Sequence, residues 1–149
     1  MSLKEELYQH CMKYAEQRIA NARHAWDEAS AAANEETKSS AGDKHETGRA
    51  MAQLEQEKAA KQYAEAVELK KTIEKIDIHS TGSKIRSGSV VMTDKGNYFV
   101  AISAGKIEIE GNVYFAVSPG SPVGHALIGK MKNEDLVFNG QKITIREIL

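Results

Sequence analysis

Two carboxylates three residues apart, Asp43 and Glu46 in the stretch GDKHE, are the side chains whose type and spacing best suit chemistry. Carboxylate oxygens are hard donors and fit Mg²⁺. If both enter the first turn of a helix, that spacing puts them on one face. The positive end of the helix dipole favours negative charge there. The same placement describes an ordinary helix start, where first-turn acids are common. A metal-assisting role and a capping role are both open at this point. Glu35 and Glu36 either extend the same acidic end or form the solvated end of a preceding helix.

A second stretch, GHALIGK from Gly124 to Lys130, has the outline of a phosphate-binding loop. That loop needs a preceding buried strand, exposed backbone N–H groups, a long following helix and a Ser or Thr for magnesium. Here Met131 stands in the Ser/Thr position and NED follows almost at once, which leaves no room for the supporting helix. The segment reads instead as a capped structural turn. Ser121 fits an N-cap, Pro122 the first turn, and Gly129 the residue that ends the helix. Val123, Ala126, Leu127 and Ile128 supply one apolar face. His10, Cys11, His24, His45, His79 and His125 form no ligand set or triad that spacing alone can support. With Cys11 as the single cysteine, an internal disulfide and a cysteine-based zinc cluster are excluded.

The elements that must hold these residues fall into two halves. Before Asp77 there is no proline, and alanine, glutamate, lysine and glutamine dominate. These are strong helix formers. Two long helices are predicted, over about 3–33 and 45–76, with the turn-forming NEETKSSAGDK between them. At about 1.5 Å per residue each reaches about 45 Å, too long for the core of so small a domain, so an antiparallel coiled-coil hairpin is expected. Leu7, Cys11, Tyr14, Arg18, Ala22, Ala25 and Ala29 mark the stripe of the first helix. Met51, Leu54, Val67, Ile73 and Ile76 are the larger apolar residues of the second. An alanine-rich seam brings backbones close and buries little area per turn, and Trp26 is a candidate anchor across it. After Asp77, runs such as GSVVMT, NYFVAIS and KITIREI read as strands, with DKG and EGN as hairpin turns. The predicted fold is α+β: a hairpin over 1–77 with its tip near 35–46, then a small antiparallel β domain over 78–149.

SPVGHALIGK and its surroundings resemble the C-terminal signature of the Gre family of bacterial transcript-cleavage factors, in which Ser-Pro, a short Ala- and Leu-rich helix and Gly-Lys precede the last strands. The matching residues are Ser121, Pro122, Gly124, Ala126, Leu127, Gly129 and Lys130. The resemblance implies an FKBP-like fold for the second half, without prolyl isomerase activity. It also implies that the hairpin enters the secondary channel of RNA polymerase. Asp43 and Glu46 match the family's Gly-Asp-x-x-Glu tip, and so would help the polymerase hold a second catalytic Mg²⁺, which orients the water that cleaves backtracked RNA. Such a factor is not an enzyme by itself and needs no cofactor in isolation. It touches nascent RNA only inside the polymerase complex, binds no DNA directly, and is cytoplasmic. Basic surface near the base, here Lys84, Arg86, Lys130 and Lys132, would meet polymerase or RNA. The sequence departs from the family at Lys44, where an apolar residue is usual, and over Thr47–Ala50, which reads TGRA where a stretch like Asn-Ala-Glu-Tyr is usual. A non-cleaving regulator of the same kind is therefore an alternative, as is a coiled-coil interaction protein unrelated to transcription.

Composition bounds these readings. A 149-residue chain with 41% hydrophobic and 28% charged residues is globular, with length for one ordinary domain or two small ones. The net charge of −1 gives no general attraction to nucleic acid. It divides as twelve basic against fifteen acidic residues over 1–77 and eight against six over 78–149. The first ten residues have no apolar core, so they do not read as a signal peptide.

Overall fold

The computed structural model describes residues 1–38 and 42–149, with side chains described outside 36–46. The order is α1 (Leu3–Lys38), α2 (Gly42–Glu74), β1 (Val90–Thr93), β2 (Gly96–Val100), β3 (Gly105–Ile109), β4 (Asn112–Val117), α3 (Pro122–Leu127), β5 (Asp135–Phe138) and β6 (Gln141–Ile148). The α+β class stands as expected: two long helices, then a six-stranded, mostly antiparallel sheet. Packing divides the chain differently from composition. Met1–Tyr14 and Lys71–Leu149 form one compact unit, and Ala15–Lys70 the other.

α1 starts on a reciprocal cap. The Glu5 backbone N–H donates to Ser2 Oγ at 3.2 Å, and Ser2 N donates to Glu5 Oε2 at 3.2 Å. The helix runs past the expected end near Ala33 because Glu35, Glu36 and Lys38 are good helix formers and outweigh Asn34.

In the unit Ala15–Lys70, the seam is one alanine per heptad from each helix. Ala15, Ala22 and Ala29 are buried on α1, and Ala52, Ala59 and Ala66 on α2. Two cross-helix contacts fix the antiparallel sense: Gln56 Nε2 donates to Ser30 Oγ at 2.9 Å, and Lys70 Nζ lies 3.7 Å from Glu16 Oε1. Those contacts are two heptads apart on both helices, so the seam keeps a seven-residue repeat. The expected stripe is corrected at two points: Ala15 belongs to it, and Arg18 is exposed. On α2, Met51 and Leu54 are each 63% exposed and stand outside the seam, whereas Val67 is half-buried and Ile73 fully buried.

In the other unit the strand order is β3-β4-β2-β1-β6-β5. All pairings are antiparallel except β2–β4, which is parallel with Tyr98 opposite Phe115. The β3–β4 hairpin thus folds back to place β4 beside β2. Its EGN turn has positive φ at Glu110 (51°) and Gly111 (81°), the conformation that two-residue hairpin loops favour. Successive strand residues point to opposite faces. Val90 and Val91 on β1, and Phe99 and Val100 on β2, are all fully buried, so both faces of the central strands are covered. On one face Val91, Val100, Leu136, Ile143 and Ile145 cluster with Ile85 and Leu127. The same unit takes in the fully buried Leu7, Cys11 and Ile73 from the ends of α1 and α2. Of the aromatic residues in the strands, Phe99 and Tyr114 are buried, Tyr98 and Phe138 partly so, and Phe115 is exposed.

Candidate functional site

The acid pair lies at the start of α2, whose range Gly42–Glu74 includes both Asp43 and Glu46. Their side chains, with those of Glu36, Lys44 and His45, fall outside the described residues. Glu35 is exposed in the last turn of α1. Negative charge at a helix C-terminus opposes the dipole, so Glu35 does not serve as a cap there. Among the described residues, no group of three or more His, Cys, Asp or Glu could hold a metal ion. His24 pairs instead with Glu28 on its own helix at 3.0 Å.

The signature segment forms the capped helix that the sequence predicts, and most of its letters have a structural reason. Ser121 caps α3: its Oγ accepts from Gly124 N at 3.1 Å and donates to Ser118 O at 2.7 Å. Pro122 occupies the first turn, where its missing N–H costs nothing. Gly124 is obligatory, because a Cβ there would meet the Ser118 carbonyl oxygen at 1.9 Å. Leu127 is fully buried in the sheet-face cluster, with Val123 and Ala126 packed against it. Ile128, expected on that face, is exposed, because the helix has ended and Ile128 is its extended C-cap. Gly129 then takes φ +82°, a conformation that suits glycine.

The same segment organises part of the expected basic patch. Gly129 N donates to Ile85 O at 2.8 Å, Ile85 N donates to Lys130 O at 2.9 Å, and Lys84 bridges Met131. Residues 84–86 and 129–131 therefore run side by side, with Lys84 exposed, Lys130 half-buried, and Lys132 exposed just beyond. An acid sits in the same turn, since the Glu134 carboxylate accepts from Met131 N at 2.9 Å.

Arg86 belongs to a different cluster. It lines a groove of about 420 Å³ with Thr72, Lys75, Ile76, Asp77, Ser87, Ala101 and Pro119. Asp77 accepts from His79 N at 2.9 Å and Ser80 N at 3.1 Å. The His79 N–H bond above all, with help from Ser80, His79 and Arg86, holds its carboxyl below the usual range. Burial, and then the Arg86 charge, lower the pKa of the Lys4 ammonium, which Asp77 partly offsets. The sequence reading missed Lys4, Lys75 and Asp77 as neighbours of Arg86. The DIHS stretch signals the Asp77 turn, but no local pattern links it to residue 4.

The fold and these groups define an α+β protein with a long helical pair ahead of a six-stranded sheet. No family model matches the chain, and no curated protein matches it. Among solved structures it is similar to one described as the structure of the transcription factor Gfh1, at 20% identity over 91% of this chain and 90% of that one. The TM-score is 0.38. No helix among the described residues is long and apolar enough to cross a membrane.

Proposed function

We propose that this chain is an RNA polymerase-binding factor of the Gre type, acting through the secondary channel on backtracked transcripts. The observation that carries the reading is the order of its parts. GDKHE opens the second of two long helices, and the SPVGHALIGK pattern follows in a β domain. Asp43 and Glu46 are the residues that would hold Mg²⁺ jointly with the polymerase. Their donor chemistry fits, since both are carboxylates with hard oxygens, three positions apart in one helix. Two carboxylates are too few for an ion that gives up water reluctantly, so the metal is shared and not resident. Bound there, Mg²⁺ supplies charge stabilisation and an oriented water for phosphodiester cleavage. The chain's own part is to carry two negative charges to that place and keep them on one helix face. Lys84, Lys130, Lys132 and Arg86 supply positive charge for the channel rim or transcript.

A second reading is a regulator that occupies the same channel without supplying chemistry. The departures at Lys44 and Thr47–Ala50 favour it. A backtracked elongation complex with the cognate polymerase separates the two. Under the cleavage reading, Asp43→Ala with Glu46→Ala abolishes stimulated cleavage and leaves polymerase binding within about twofold, as for an interaction made only in the transition state. Equal cleavage by the wild-type chain and the double variant rules that reading out. Failure of both to bind polymerase rules out the whole proposal.

A further inference from the structure

A groove in the unit Ala15–Lys70 belongs to neither the acid pair nor the basic patch. It measures about 400 Å³ and is lined by Arg23, Trp26 and Asp27 of α1 and by Ala60 and Tyr63 of α2. Two large rings stand at it without full cover: Trp26 is 42% exposed and Tyr63 39%. Trp26 thus stands beside Ala60 and Tyr63 of the facing helix, as a candidate anchor would, but part of its ring remains open to solvent. The charges beside it are also unspent. Among the described residues neither Arg23 nor Asp27 forms an ion pair, whereas neighbouring His24 is held by Glu28 at 3.0 Å.

Arg23 and Asp27 are four apart, so they share a helix face. That pattern is self-complementary. When two copies of α1 cross antiparallel about a twofold axis level with position 25, Arg23 of each copy faces Asp27 of the other. Trp26 lies one residue from that axis, so the two indoles fall at the centre, each beside the other copy's Tyr63 groove. Sites of this size accept drug-sized ligands and have room for an aromatic side chain. Central aromatic anchors with a flanking Arg are the composition of interface hot spots. Twofold, self-complementary patches are the usual form of homodimer contact. We propose that this face of the hairpin is the contact of a homodimer, with a second copy of the chain as its occupant and two reciprocal Arg23–Asp27 ion pairs setting its register.

The patch is small, so the dimer is a weak, salt-sensitive one. It does not depend on polymerase binding, and failure of the cleavage experiment leaves it intact. Sedimentation equilibrium of the full chain tests it. The wild-type mass rises with concentration from the 16.4 kDa monomer toward its double. Arg23→Asp and Asp27→Arg each weaken association by about tenfold or more, because like charges then face each other. Mixing the two variants restores it, since an all-acidic face meets an all-basic one. Trp26→Ala, which leaves the charges in place, also weakens it. Far-UV circular dichroism unchanged from wild type shows that the exposed substitutions keep the helices. A chain that stays monomeric up to about 1 mM, well above the range of weak specific contacts, overturns the proposal. So does a mixture of variants that associates no better than either alone.

Discussion

Gly124 and Ser121 show how a motif that looks like a phosphate site is settled by atoms. A Cβ at position 124 would lie 1.9 Å from the Ser118 carbonyl oxygen and 2.8 Å from Ser121 Oγ. Gly124→Ala must therefore push the backbone of α3 off the sheet, and a loss of about 2–3 kcal/mol is expected in urea unfolding. Ser121→Ala removes one cap bond and should lose about 1 kcal/mol in the same measurement. Cys11 yields a different prediction. It is fully buried, and burial pushes its thiol up to about 12. Below the unfolded value of about 8.5, both states keep the proton and its contribution is intact. Above that, the unfolded chain ionises while the folded one does not, so stability falls as pH rises, by up to about 1.4 kcal/mol per unit. Urea midpoints at pH 8 and pH 10 should drop more for the wild type than for Cys11→Ala, and a thiol reagent should find Cys11 only after unfolding. The capping role of Ser121 and the turn role of Gly129 were legible in the sequence because caps and turns are local. The need for Gly124 was not, because it comes from the approach of a carbonyl that only the fold brings near.

At the scale of elements, the long helices and the strands in GSVVMT, NYFVAIS and KITIREI were legible, since their signals are periodic or β-branched and bounded by turns. The seam was legible only in part. Alanine has the right propensity everywhere on such a helix, so nothing local says which alanine faces the partner. The exposed Met51 and Leu54 show that size does not decide it. Ala59 is buried in the seam. Ala59→Leu should overfill the seam and lower stability by about 1–3 kcal/mol. Leu54→Ala, on the outer surface, should change it by less than about 0.5 kcal/mol. Thermal unfolding followed at 222 nm distinguishes the two. A tolerated Ala59→Leu would mean that the helices separate more easily than the heptad of alanines indicates.

For the whole molecule, the compositional change near Asp77 marks where helix gives way to strand, while packing places Met1–Tyr14 and Lys71–Leu149 together. Both faces of β1 and β2 are buried, and Leu7, Cys11 and Ile73 are fully buried in the same unit. A fragment of residues 78–149 lacks those three side chains. Losing buried apolar groups of that size costs about 2–5 kcal/mol each in a core. The fragment is therefore expected to melt well below the unit that retains the helix ends, and to bind a hydrophobic dye that the full chain does not. A fragment as stable as the full chain would place the functional boundary at 77/78 after all.

By itself the sequence determined the element types and the capped turn at Ser121. Each of these depends on residues within a few positions of one another, where backbone preference, hydrogen-bonding reach and helical periodicity decide the outcome. Tertiary structure alone decided the parallel pairing of β2 with β4, the heptad of alanines in the seam, the grouping of Lys4 and Lys75 with Arg86 and Asp77, and the exposed Trp26 beside Tyr63. These join residues far apart in the chain. Their energies come from shared burial and from charges brought close in space, which no local stretch encodes.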